Sequence, residues 1–136
     1  MKSTEEVRAD VLQRLLSFGV AVDATSGFAV NFAVERAREK IKNDTNQLDV
    51  PDGLYHVFID MAAGYYMQAK RAVGQLDVDG IDISVGAAKS IREGDVEITF
   101  ATSESQTPEQ RVDALISLLI TPDAGQMARY RRLVWT

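Results

Sequence analysis

Apolar residues recur along this chain at two spacings, and the switch between them divides it. Val7, Val11, Leu12, Leu15 and Leu16 repeat at helical spacing behind Ser3-Thr4-Glu5-Glu6, where Ser3 and Glu6 stand at capping-box distance. A first helix is predicted there, stopped by Gly19. After an Asp23–Gly27 link rich in cap and turn residues, Val30, Val34, Ala37 and Ile41 mark a second helix, with Glu35, Arg38, Glu39 and Lys42 turned outward. Asn43-Asp44-Thr45-Asn46 ends it. Pro51-Asp52-Gly53 opens a third, central helix whose face is Leu54, Phe58, Met61, Tyr65 and Ala69, and Ala62-Ala63-Gly64 lets a neighbouring helix come close.

From Gly74 to Phe100 the period becomes two. Ile81, Ile83 and Val85 alternate with polar residues, and Val96, Ile98 and Phe100 alternate with Glu97 and Thr99 across a Glu93-Gly94 turn. This predicts a β-hairpin or extended arm over about residues 76–100. Thr107-Pro108-Glu109-Gln110 then combines an N-cap, a proline at the first helical position and a glutamine at capping-box spacing, and Val112, Leu115, Ile116 and Leu119 follow as the buried stripe of a fourth helix. Thr121-Pro122-Asp123 repeats the start signal before Met127, Tyr130 and Val134, a short last helix. The expected fold is mainly α: a small bundle of four to five helices, with the arm between the third and fourth, in a single domain spanning residues 1–136.

Composition agrees with a soluble globular domain: 136 residues, 46% hydrophobic and 26% charged, long enough to bury one core. Cysteine is absent, which removes disulfides, thiol nucleophiles and cysteine-based zinc sites. The opening residues turn acidic without an apolar stretch, and no run of eighteen apolar residues occurs, so neither export nor membrane insertion is expected. Charge is uneven. Residues 1–128 carry twelve Lys and Arg against twenty Asp and Glu, whereas residues 129–136 carry three Arg and no acid, so the C-terminal tail is an electrostatic object of its own. An acidic body argues against general nucleic-acid binding, which needs cations to displace counterions from phosphates.

Candidate chemistry is thin. His56 and Asp60 stand four apart on the third helix and share a face, but no third ligand has helical spacing to them, and a solvated helix face explains the pair. Asp77-Val78-Asp79-Gly80-Ile81-Asp82 resembles a calcium loop only superficially: counted from Asp77, Asp82 stands where the glycine belongs and Ala88 where the bidentate Glu belongs. No phosphate loop, dinucleotide fingerprint or nucleophile elbow is present, and serines have only His56 as a potential base. No catalytic residue, metal or cofactor is expected, and the chain is read as a non-enzyme.

What remains is Tyr130-Arg131-Arg132-Leu133-Val134-Trp135, rich in the residue types that dominate interface energies. Tyr130, Arg131, Arg132, Leu133 and Trp135 are candidate partner contacts. The alternative has Tyr130 and Trp135 folded back on the core with the arginines solvated.

A series of motifs then becomes recognisable: Lys40-Ile41-Lys42-Asn43-Asp44-Thr45-Asn46, Val50-Pro51-Asp52-Gly53-Leu54, Met61-Ala62-Ala63-Gly64, Ser90-Ile91-Arg92-Glu93-Gly94-Asp95-Val96, and the C-terminal segment above. In order and spacing, from about residue 30 onward, the chain resembles the head–tail connector (adaptor) proteins of long-tailed bacteriophages; each motif alone is unspecific. The resemblance implies a homo-oligomeric, dodecameric ring in the neck of the virion, made in the host cytoplasm. Its partners would be the portal protein on one side and a stopper or tail-completion protein on the other, with double-stranded DNA passing through unread. A negative channel wall suits that passage, because it repels the phosphate backbone.

A ring requires two different faces of one subunit to meet. Tyr65, Tyr66 and Met67 follow one another on the central helix and cannot all point into one small bundle, so they are the candidate subunit interface; the alternative leaves Tyr66 along the surface with its hydroxyl in water. A second functional reading is a cytoplasmic interaction or regulatory module that uses the basic tail to bind nucleic acid or protein. Salt separates the two, since DNA binding weakens steeply as salt rises and an apolar ring contact does not.

Overall fold

Helix ends organise this structure, and most of them follow directly from the sequence. The structure, a computed structural model, describes residues 3–20, 22, 27–76 and 107–131. Helix α1 (Thr4–Ser17) starts at Ser3, whose Oγ accepts the Glu6 N–H at 3.3 Å, and stops in a Schellman turn: Gly19 takes φ +83°, its N–H reaches the Leu16 carbonyl and that of Val20 the Leu15 carbonyl. Helix α2 (Gly27–Thr45) ends the same way on Asn46 at φ +54°, with the Gln47 N–H on the Lys42 carbonyl. A single 3-10 turn, Asp52–Leu54, leads into helix α3 (Tyr55–Ala72), which Gly74 closes at φ +71°. Helix α4 (Pro108–Ile120) opens with a complete capping box: Gln110 N–H donates to Thr107 Oγ1 at 3.2 Å, and Thr107 N–H to Gln110 Oε1 at 3.1 Å. Asp123 caps the short helix α5 (Ala124–Arg129) through the Gly125 N–H.

The protein is mainly helical, as expected, and among the described residues there is no strand. The arm assigned to residues 76–100, with its Glu93-Gly94 turn, lies outside the described residues beyond Leu76, as does the Asp77–Asp82 run. Helix α3 is central. It packs against α1, α2 and α4, and everything from Phe58 to Met67 except Asp60 is buried. Val7, Val11 and Leu15 of α1, Val30, Val34, Ala37 and Ile41 of α2, and Val112, Leu115, Ile116 and Leu119 of α4 complete one apolar core with it. Two expected stripe positions fall outside that core: Leu16 is 62% exposed, and Ala69 lies beyond the last buried turn of α3.

Gly64 shows how tightly the helices meet. A β-carbon there would come within 2.7 Å of Ile120 Cγ2 and 2.8 Å of Leu119 Cβ, so α4 crosses α3 at the one residue with no side chain. Arg71 Nε lies 3.1 Å from Asp113 Oδ1 further along the same pair, which makes α3 and α4 antiparallel. Helix α1 is attached by polar contacts as well: Arg14 Nε donates to Asp60 Oδ1 at 2.6 Å, and the Tyr55 hydroxyl donates to Asp10.

Candidate functional site

The chain bends back on itself where α5 meets the α2–α3 connection, and this places the start of the basic tail. Tyr130 is half-buried: its ring lies over Gly53, where any β-carbon would overlap its hydroxyl, and its carbonyl accepts a hydrogen bond from Gln47 Nε2 at 2.6 Å. Only a glycine leaves room for the tyrosine at that point of the Pro51-Asp52-Gly53 turn. Of the five tail candidates, Tyr130 is therefore packed on its own chain and Arg131 is exposed beside it. Arg132, Leu133 and Trp135 lie outside the described residues.

The expectation for Tyr65, Tyr66 and Met67 needs correcting. All three are buried within the chain's own fold, at 8%, 3% and 0% exposure, and offer no surface to a neighbour. Three consecutive residues can be buried because α3 is covered by helices on several sides, which widens its apolar face beyond one stripe. Cations close the open edges. The Arg36 guanidinium sits 4.4 Å from the centre of the Tyr65 ring, and Lys70 Nζ lies 5.8 Å from that of Tyr66.

The apolar surface that is exposed stands on α2. Phe28 and Phe32, one helical turn apart, are 82% and 62% exposed and stack with ring centres 6.3 Å apart. They continue into Glu35 and Glu39, which occupy the same face at helical spacing and are bound to Arg38 at 2.7 Å and Lys42 at 3.2 Å. The pattern was open to reading: α2 carries two apolar stripes, Val30-Val34-Ala37-Ile41 and Phe28-Phe32, on nearly opposite sides, and only one of them can face a core.

At the other end of α2 an open groove of about 560 Å³ separates it from the α4–α5 corner. Ile120, Pro122, Met127 and Ala128 contribute apolar lining, while Lys40, paired with Asp44 at 3.2 Å, and Arg131 stand at its edge. A smaller groove lies between α3 and α4 around Arg71, Asp113 and Ser117.

His56 and Asp60 are not brought together as a working pair. His56 is exposed, and the Asp60 carboxylate is held by Arg14 from α1. Among the described residues no three His, Asp or Glu side chains cluster as metal ligands, and no helix is long and apolar enough to cross a membrane. Among the described residues the one clear shift in acidity is at Tyr55, whose hydroxyl is pushed well above its ordinary range by burial first and by the Asp10 carboxylate second. Comparison with family models, curated proteins and solved structures gave no match for this chain.

Proposed function

We propose that this chain is a structural subunit of the neck of a tailed-phage virion, not an enzyme. It forms a ring beneath the portal protein, extends the DNA channel, and meets a stopper or tail-completion protein on its far side. The series of motifs from Lys40 to Trp135 supports that family reading, and an acidic body with a basic tail separates a DNA-repelling wall from a protein-binding end.

The observation that carries the assembly role is the Phe28–Phe32 pair. The subunit already has a continuous core of its own, yet it keeps two stacked phenyl rings in water. Single exposed apolar residues are ordinary on any surface, but adjacent aromatic rings on one helix face mark a contact with another protein.

The tail reading changes in one respect. Tyr130 belongs to the fold, through Gly53 and Gln47, so the partner-binding segment begins at Arg131. Changing Arg131, Arg132 and Trp135 together to Ala should leave the melting transition in place and weaken capture by the portal at least ~30-fold, the effect of losing one buried anchor of about 2 kcal/mol. A variant that melts early indicates that Trp135 is a core residue instead. One that melts like the parent and binds like it removes the tail from the interface.

A further inference from the structure

Resting on the ring reading, we propose that neighbouring subunits join head to tail through the two ends of α2. The stacked Phe28 and Phe32 of one copy enter the groove lined by Ile120, Pro122, Met127 and Ala128 of the next.

Size is the first argument. An apolar cavity of about 150 Å³ accommodates a benzene ring. The groove, at about 560 Å³, therefore has room for two phenyl rings and part of the helix that carries them. Placement is the second. From Phe32 to Asp44 the helix rises about 18 Å, and the two surfaces lie about a quarter-turn apart around its axis, so one subunit cannot fill its own groove with its own rings. Knob and socket on different faces make a heterologous contact, which generates a ring when the rotation closes.

Charge is the third. Beyond the rings the knob face continues as Glu35 and Glu39, while the groove edge carries Arg131 and Lys40, the latter shared with Asp44. The carboxylates themselves are exposed, and each is held by a single partly buried cation one turn away on the same helix, Arg38 or Lys42, so their remaining lone pairs face solvent and are open to a second cation. An apolar stripe that runs into acid thus meets a groove of mixed lining, in which Ile120, Pro122, Met127 and Ala128 stand beside Asn43 and Thr121, with Arg131 and the Lys40–Asp44 pair to receive the acid. Among the described residues the other large exposed apolar side chains, Leu16, Leu48 and Val73, are aliphatic and stand on three separate parts of the chain, so none forms a stacked pair of this kind.

Two complementary variants test the arrangement in sedimentation velocity. Phe28→Ser with Phe32→Ser removes the knob, and Ala124→Glu with Ala128→Glu blocks the socket; all four positions apart from the rings' own contact are surface sites, so both variants should melt like the parent. Each alone should be monomeric where the parent is oligomeric. Mixed in equal amounts they should form a dimer and nothing larger, because one intact knob then meets one intact socket. Because the chain has no cysteine, Asn31→Cys, an exposed site beside the rings that leaves both of them in place, combined with Ala128→Cys gives an independent reading: a bismaleimide should link it into a ladder beyond the dimer, while Ala128→Cys alone does not link. A mixture that stays monomeric, or a doubly substituted chain that gives no ladder, overturns the proposal. Parent-sized oligomers persisting in both variants also overturn this interface but leave the ring reading standing. A parent chain that stays monomeric at the highest attainable concentration overturns both.

Discussion

A β-carbon at Gly53 would overlap the Tyr130 hydroxyl, so these two residues, far apart in sequence, act as one unit that ties α5 to the α2–α3 turn. Gly53→Ala should therefore displace the tyrosine ring and cost about 1–2 kcal/mol, the scale of overpacking relieved by a side-chain shift. Tyr130→Ala should cost a similar amount, and the double variant little more than either alone, which a double-mutant cycle in urea reads directly. Additive losses would mean that the two residues are not in contact. Tyr55 sets a second residue-level expectation. Burial and Asp10 raise its hydroxyl above the ordinary 10.0, so the folded chain keeps a proton that the unfolded chain gives up. Its contribution is present in full below pH 10 and is lost as pH climbs past that value toward the folded one. Urea midpoints taken between about pH 8 and 11 should fall more steeply in the parent than in Tyr55→Phe, and parallel curves would count against the Asp10 contact.

Elements in this fold are delimited by local chemistry, and the caps are where a small change should be felt. Thr107→Ala removes one half of the capping box on α4 and leaves the Gln110 N–H without its acceptor, which should cost about 1 kcal/mol in a denaturant titration. Serine at the same position should restore most of it. Helix starts at Ser3 and Thr107 and stops at Gly19 and Asn46 were legible in the sequence because each depends on a few adjacent side chains and one backbone angle. The close crossing at Gly64 was legible too, since small residues in a row signal a near neighbour. Which side of a helix faces inward was harder to read. On α3 the buried face is wider than one stripe, so Tyr65, Tyr66 and Met67 looked like a surplus when they are core. On α2 the reverse holds: Phe28 and Phe32 are as apolar as the core stripe, and only the packing of α3 against the other side reveals that they face water. Tyr130 belongs with the same class of residue, since a ring at the end of a helix reads equally as anchor or as core until its glycine partner is seen.

At the scale of the whole molecule, the protein combines a continuous core, an acidic body and two surfaces that the described residues leave open, the aromatic knob and the groove at the far end of α2. That combination suits a part built to be repeated around an axis. In a ring of such chains, the net charge of −5 would direct the phosphate backbone away from the wall. An apolar ring contact should survive high salt, whereas any attachment to DNA through the tail arginines should weaken steeply between low and moderate ionic strength. The most direct test of the central claim is electron microscopy of the purified protein mixed with the portal of its own phage. Closed rings of this protein stacked coaxially on the portal, at low and high salt alike, are the expected result. Portals that remain bare while the protein coats free DNA, and releases it as salt rises, would contradict it.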